Sequence, residues 1–191
     1  DVTFTTAADD IDFATGHIHL ANESNLVVDT GATGGNITIA EIAGTSVETV
    51  TLDAGTGTTS VGVIGSGTEI GTLSIGSDEN GGITLNGAIT TDGVVTLDGP
   101  ITLATAAITI TTADDNINLQ GKVDGGKALT LASGSGAVTV DGAIGSSTAL
   151  TSLTVNSSGT GTIEITNIGT TSASGVTGAT AIGNTNTGTL T

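Results

Sequence analysis

The chain has 191 residues and a formal net charge of −17, from 19 Asp and Glu residues against two Lys, with no Arg, Cys or Met. Nucleic acids and anionic membrane surfaces bind clustered Lys and Arg, so neither is expected as a partner, and thiol or disulfide chemistry is excluded. Thr makes up roughly a fifth of the residues, well above average usage. Two Phe are the only aromatic residues. Such a composition favours an interior of aliphatic rows over a conventional aromatic-rich core.

Short triplets of the form aliphatic–polar–aliphatic run from the first residues to about residue 165. A period of two places the flanking aliphatic residues on one face of a strand and the middle residue, usually Thr, on the other. No segment shows a helical apolar period, and the abundance of Gly, Thr and β-branched residues disfavours helix. The triplets are centred on Thr3, Asp12, His19, Val27, Thr38, Thr51, Ser74, Thr84, Thr96, Thr109, Asn118, Thr130, Thr139, Thr154 and Glu164.

One longer motif combines a triplet with a turn and the start of the next strand. Residues 83–89, ITLNGAI, return as residues 95–101, VTLDGPI, and as residues 138–144, VTVDGAI, with a looser copy at residues 117–123. The Asn-Gly and Asp-Gly pairs are turn formers. Recurrence of one strand–turn–strand unit indicates a stacked repeat rather than an active site.

Two all-β architectures fit strands that begin roughly every 8–15 residues. In an antiparallel sandwich the Asn-Gly and Asp-Gly pairs would close hairpins. In a parallel β-helix, or β-solenoid, the same pairs would form corners between stacked coils of about 20–30 residues. The very short strands and aliphatic ladders favour the solenoid, which leaves only its two ends as open edges. At about 4.8 Å per coil, we expect a rod about 30–45 Å long.

A repeat of about 106 residues overlies the short one. Residues 2–13 align without gaps on residues 108–119, and Phe4 and Phe13 fall on Ile110 and Leu119, which predicts inward packing for both rings. Farther on, residues 35–39 match residues 136–140 after small deletions. From these patterns we expect solenoid coils over residues 1–165 and an irregular terminal coil, junction or interface over residues 166–191. The lack of Met indicates a processed protein or an excerpt of a longer chain.

Residues 138–145, VTVDGAIG, followed by residues 150–155, LTSLTV, resemble the repeats of very large secreted bacterial surface proteins, the filamentous-haemagglutinin-like or β-strand-repeat adhesins. The bias to Thr, Gly, Ala and Asp and the lack of Cys are similar too. The resemblance implies a right-handed parallel β-helix, export to the bacterial surface or extracellular space, and a role in adhesion, matrix or surface filaments. It transfers no functional residue.

Acidic pairs provide the candidate metal site. Asp9 and Asp10 in the first copy of the long repeat, and Asp114 and Asp115 in the second, combine adjacent carboxylates with nearby oxygen donors that suit Ca²⁺,. Neither matches an EF-hand loop or the Gly-rich Ca²⁺-binding nonapeptide. The alternative is that these residues only form corners. Residues 77–82, SDENGG, are a weaker candidate that we interpret as a plain loop.

His17 and His19 are spaced to point to the same side of a strand, an arrangement that can bind a transition metal, although the sequence offers no clear third ligand,. We expect no enzymatic activity. Lyase sites for anionic sugars need basic groups, and only Lys122 and Lys127 are cationic. Paired carboxylates of a glycosidase would lack aromatic sugar platforms. Ice binding is disfavoured because the Thr residues form no regular Thr-x-Thr array.

The sequence therefore predicts a structural rod segment of a secreted bacterial surface adhesin or extracellular filament. Its expected partners are copies of itself, joined head to tail or laterally, or adjoining repeats of a larger chain. The alternative function is a Ca²⁺- or glycan-binding β-helix module of a surface or matrix protein. Apart from Ca²⁺, no cofactor is expected.

Overall fold

The computed structural model describes residues 1–76, 81–105, 107–157, 160–171, 174–183 and 188–191, with the backbone alone at 156 and 157. The described residues form nineteen short β-strands and no α-helix. They therefore include no helix that could span a membrane. The strands are β1 Val2–Thr5, β2 Ile11–His19, β3 Leu26–Asp29, β4 Ile37–Ala43, β5 Thr49–Asp53, β6 Thr59–Ile64, β7 Thr72–Ile75, β8 Ile83–Leu85, β9 Ile89–Thr91, β10 Val95–Leu97, β11 Ile101–Leu103, β12 Ala107–Thr112, β13 Ile117–Leu119, β14 Val123–Asp124, β15 Ala128–Gly134, β16 Val138–Ile144, β17 Ser152–Ser157, β18 Ile163–Ile168 and β19 Thr180–Ile182.

Parallel pairing between successive coils winds the chain into a β-solenoid with three faces, which confirms the predicted fold class and rules out the antiparallel sandwich. The first face consists of β1, β3, β5, β7, β10, β13 and the starts of β16 and β18. The second consists of the starts of β2, β4 and β6, then β8, β11, β14 and the ends of β16 and β18. The third consists of the ends of β2, β4 and β6, then β9, β12, β15, β17 and β19.

The solenoid makes about seven turns. Seven consecutive pairings on the first face connect β1 to β18, and the step between equivalent residues ranges from 21, between Ile117 and Val138, to 25, between Val138 and Ile163. Seven steps of about 4.8 Å give a rod about 34 Å long. The step on this face lies within the predicted coil length of about 20–30 residues. The rod length lies within the predicted range of about 30–45 Å.

The core is a stack of aliphatic side chains along the axis. On the first face, from β3 to the start of β16, the two outer residues of each triplet are buried and the middle residue points outward, as in Val95, Thr96 and Leu97. The register places each inward residue on another inward residue of the next coil, so Leu73, Val95 and Ile117 form one continuous ladder. Because every coil covers the core of its neighbours, no large aromatic residue is needed to exclude water.

Residues 166–191 contain further coil pairing. β19 pairs in parallel with β17, and isolated parallel bridges join Leu150 to Val176 and Ile163 to Leu190. Most side chains of this segment are exposed, including Ile168 at 41% and Leu190 at 60%. The described parts of the last coil therefore stack on the rod but cover it loosely.

The two copies of the long repeat build the same corner on different sides of the rod. The Thr6 hydroxyl donates to the Asp9 carbonyl at 2.6 Å, and Thr112 donates to Asp115 at 2.5 Å. The residue before each aspartate, Ala8 or Asp114, has a positive φ of 92° or 69°. The first corner connects the first face to the second, whereas the second connects the third face to the first. The repeat thus encodes a corner and its two strands, not a fixed face.

Each of these corners is covered by a glycine of the next coil. A Cβ on Gly35 would lie 2.2 Å from the Asp9 carbonyl oxygen, and one on Gly136 would lie 2.2 Å from that of Asp115. The two backbones cannot approach this closely if the residue at position 35 or 136 carries a Cβ. The matching glycines therefore set the coil spacing at both corners.

Gly136→Ala should lower the free energy of unfolding by about 1–3 kcal/mol because the new methyl group overpacks the corner. Gly16→Ala is the matched control, since no atom lies within 4 Å of the Cβ position and the φ of Gly16 is not positive. It should leave stability unchanged or raise it by about 0.4–1 kcal/mol. Chemical denaturation followed by circular dichroism measures both, and equal effects would contradict the proposed corner constraint.

Candidate functional site

The predicted acidic pairs lie at two separate corners. Asp9 and Asp10 lie between β1 and β2 in the first coil, and Asp114 and Asp115 lie between β12 and β13 four coils along the rod. The structure does not bring the two pairs together. Among the described residues, no group of three or more His, Asp or Glu side chains is positioned to hold a metal ion. Of the weaker candidate, residues 77–80 lie outside the described residues.

Carboxylates at these corners cap backbone groups of the next coil. Asp10 Oδ1 accepts a hydrogen bond from the Asn36 N–H at 2.6 Å, and Asp114 Oδ1 accepts from the Ser135 N–H at 2.8 Å. The geometry satisfies backbone donors that the corner removes from the β-ladder. This is the corner-forming role considered from the sequence, and specific Ca²⁺ binding at Asp9, Asp10, Asp114 and Asp115 stays a prediction.

His17 and His19 lie side by side on the third face, with their ring centroids 6.5 Å apart and both side chains exposed. Glu41 is the register partner of His17 on the next strand, and His17 Nδ1 lies 2.6 Å from Glu41 Oε2. A hydrogen bond from the Ser66 hydroxyl, aided by the contact with His17, lowers the pKa of Glu41 against the opposing effect of burial. An imidazole of the first coil therefore contacts a carboxylate of the second.

Glu48 is a fully buried carboxylate in the loop between β4 and β5. Burial alone would raise its pKa, but hydrogen bonds from the Thr45 hydroxyl and from the N–H groups of Thr45 and Val47 outweigh that effect and lower it. Gly44 packs against the carboxylate so closely that a Cβ there would lie 2.4 Å from Oε2. Glu48 thus closes a tight loop that runs from Gly44 to the start of β5.

Asp124, the last residue of β14, similarly accepts hydrogen bonds from the loop between β16 and β17. It is 7% exposed, and its Oδ1 accepts from the N–H groups of Ser147 and Thr148 at 2.8 and 3.0 Å. Lys122 Nζ lies 3.4 Å from Asp124 Oδ2. Despite burial, which raises it, the pKa of Asp124 is lowered by these donors and by the Lys122 charge.

Sequence reasoning missed Glu41 and Asp124 because it sought chemistry in neighbouring residues, and it missed Glu48 because a single Glu in a loop matches no motif. The structure instead pairs residues one coil apart: His17 and Glu41 differ by 24 positions, and Asp124 and Thr148 also by 24. A search for polar residues separated by one coil would have found both pairs. The coil length was predicted too loosely for such a search.

The strands at the two ends of the described solenoid have exposed apolar side chains. In β1, Val2 is 42% and Phe4 38% exposed, although their register partners Leu26 and Val28 are buried. Phe4 packs edge-on against Phe13 with centroids 5.1 Å apart, and Phe13 contacts the core. The inward packing predicted for the two rings is therefore only partial at the first coil.

A shallow surface depression of about 490 Å³ lies near the other end and is lined by Asn167, Ile168, Gly169, Thr170 and Thr171. This lining offers amide and hydroxyl groups but no carboxylate or imidazole.

Comparison of the chain with protein-family models, with curated proteins and with solved structures gives no significant match. The resemblance to surface adhesins stays a prediction from the sequence. The interpretation of function consequently depends on the geometry described above.

Glu48→Gln should destabilise the protein by about 1–3 kcal/mol at pH 7, because the amide leaves buried donors without an acceptor. The folded protein holds the Glu48 pKa below the ordinary 4.5, so its charge stabilises the fold above about pH 4.5. That contribution is lost as the pH falls through the lower folded-state pKa. The stability difference between wild type and variant should therefore narrow toward pH 3.

Denaturation at a series of pH values measures this difference. Glu164→Gln is the control, because Glu164 is exposed at an outward position of β18. Its substitution should change stability little at any pH. A Glu48→Gln deficit that stays constant from pH 7 to pH 3 would contradict the proposed role of the Glu48 charge.

Proposed function

We propose that this chain is a rod-forming segment of a secreted bacterial surface adhesin or extracellular filament, and that its function is mechanical. The observation that carries the proposal is the uninterrupted parallel ladder, which runs through about seven turns around an aliphatic core. Backbone hydrogen bonds in such a solenoid lie along the rod axis. Many bonds in parallel resist bending and stretching of the rod.

Side chains at the corners reinforce the same axis. Asp1 Oδ1 accepts from the Asn25 N–H at 3.0 Å, and Asn25 Oδ1 accepts from the Thr49 N–H at 2.8 Å. Asn36 Oδ1 likewise accepts from the Thr58 N–H at 3.0 Å. In each bond the acceptor belongs to one coil and the donor to the following coil. These ladders support a stiff spacer with a defined polarity.

The lateral surface suits a spacer in water. Outward positions of the triplets are mostly Thr, with Ser, Asn and acidic residues, and the formal net charge is −17. Like charges on neighbouring rods repel, which opposes non-specific lateral association. An extracellular location at a bacterial surface is proposed from the sequence resemblance together with this rod geometry.

End-to-end stacking is the proposed mode of extension. The exposed Val2 and Phe4 of β1, and Ile168 and Leu190 in the last described coil, occupy or lie near positions that the next coil would cover. All strands of one face run in the same direction. A second unit can therefore continue the parallel ladder only if its first coil meets the last coil of the unit before it. The joint is therefore head to tail, with either a second copy or an adjoining stretch of a longer chain.

Phe4→Lys should abolish head-to-tail assembly, because it places a charge on the inward-facing row of the edge strand. Deletion of residues 2–6 should have the same effect. Thr3→Lys is the matched control, since Thr3 pairs with the outward Val27 in the same strand. Electron microscopy of the purified proteins measures filament length. Filaments of Phe4→Lys as long as those of wild type would contradict the joint.

The calcium-binding alternative predicts a saturable rise in melting temperature in Ca²⁺ relative to chelator. Replacing Asp9, Asp10, Asp114 and Asp115 together with Asn should abolish the rise. Asn keeps the side-chain oxygen that accepts the Asn36 and Ser135 N–H groups, so the corners are preserved while the charge is removed. An unchanged melting temperature of the wild type in Ca²⁺ and in chelator would exclude this function.

A further inference from the structure

The third face carries a pair of imidazoles that the rod function does not use. His17 and His19 occupy outward positions of β2, with the inward Ile18 between them packed against the core. Alternation along the strand therefore fixes both imidazoles on the same side. Their ring centroids are 6.5 Å apart and the rings are tilted by 38°.

Glu41 orients one of these imidazoles. Its Oε2 lies 2.6 Å from His17 Nδ1, which places the proton of the neutral ring on Nδ1 and the lone pair on Nε2,. Parallel pairing in register holds Glu41 beside His17. In protein metal sites, a metal-binding histidine commonly donates its other ring N–H to a carboxylate, which fixes the orientation of the ring.

We propose that His17 and His19 bind one divalent transition-metal ion, with Glu41 as a positioning residue for His17. The ion is of the borderline class that imidazole prefers, such as Zn²⁺, Ni²⁺ or Cu²⁺, and water completes its coordination. Both rings are exposed, so their side chains are free to turn toward a shared ion about 2.0–2.1 Å from one nitrogen of each,. A site with two protein ligands is consistent with the finding that the described residues contain no group of three or more side chains positioned to hold a metal ion.

The absence of other histidines makes the site directly measurable. The chain has two His residues, so the imidazole signals in an NMR spectrum belong to His17 and His19 alone. Titration with Zn²⁺ at pH 7.5 should shift both sets of signals together and saturate at one ion per chain. Ca²⁺ at the same concentration should leave them unchanged, because imidazole is a poor ligand for it.

Single substitutions separate the roles of the three side chains. His17→Gln and His19→Gln should each weaken Zn²⁺ binding at least tenfold. Glu41→Gln should weaken it about tenfold, because it removes the negative charge that strengthens the hydrogen bond from His17 Nδ1 and raises the basicity of Nε2. Glu164→Gln is the matched control, since it removes the same charge from the first face, and it should leave Zn²⁺ affinity unchanged.

Isothermal titration calorimetry gives the affinities, and circular dichroism verifies that each variant is folded. Zn²⁺ binding of wild-type strength in a His17→Gln/His19→Gln double variant would overturn the site, as would Zn²⁺ saturation without any imidazole shift. Equal affinities of wild type and Glu41→Gln would overturn the positioning role. None of these outcomes depends on whether the rod assembles into filaments.

Discussion

The structure depends on one constraint: each coil must present its strands in register to the coils before and after it. Parallel backbone hydrogen bonds set the spacing, and the inward aliphatic residues must then fall on inward aliphatic residues of the next coil. A shift of one residue in any strand would turn that coil's hydrophobic set outward. The corner glycines and the Asp and Asn side chains that accept backbone N–H groups matter because they keep this register while the step between paired residues of successive coils varies from 18, between Ile83 and Ile101, to 27, between Leu153 and Thr180.

Several of the acidic residues have a structural role at the corners and loops of the solenoid. Asp10, Asp114, Glu48 and Asp124 each accept backbone N–H groups at corners and loops, so part of the negative charge replaces β-ladder acceptors where the chain turns. A carboxylate does this well because charge-assisted hydrogen bonds are stronger than neutral ones. Asp1, Asp12, Asp29 and Asp53 accept backbone N–H groups in the same way.

Much of the fold could be predicted from local patterns. The Val95-Thr96-Leu97 type of triplet specifies a short strand with one buried face, and the Asp-Gly and Asn-Gly pairs specify the bends. The contacts of the candidate site could not be predicted in the same way. Glu41 meets His17, and Asp124 meets Thr148, only because one coil returns the chain after 24 residues. That spacing follows from the summed lengths of strands and corners, which no single motif contains.

The long repeat illustrates the same limit. Its two copies are recognisable by Thr6 and Thr112, and the corner hydrogen bonds match, yet the copies lie on different sides of the rod. Local sequence fixes the corner, whereas the number of residues between the copies fixes its azimuth.

The angular position of the corner around the rod axis changes from one copy of the repeat to the next. From β1 on the first face to β12 on the third, the chain completes four coils and two further faces, so one repeat spans four and two-thirds turns. In an array built on this repeat, equivalent corners would rotate by a third of a revolution each time and realign after three repeats, or fourteen turns. Any feature encoded once per repeat would be displayed around the whole circumference in a slow screw, accessible from every direction.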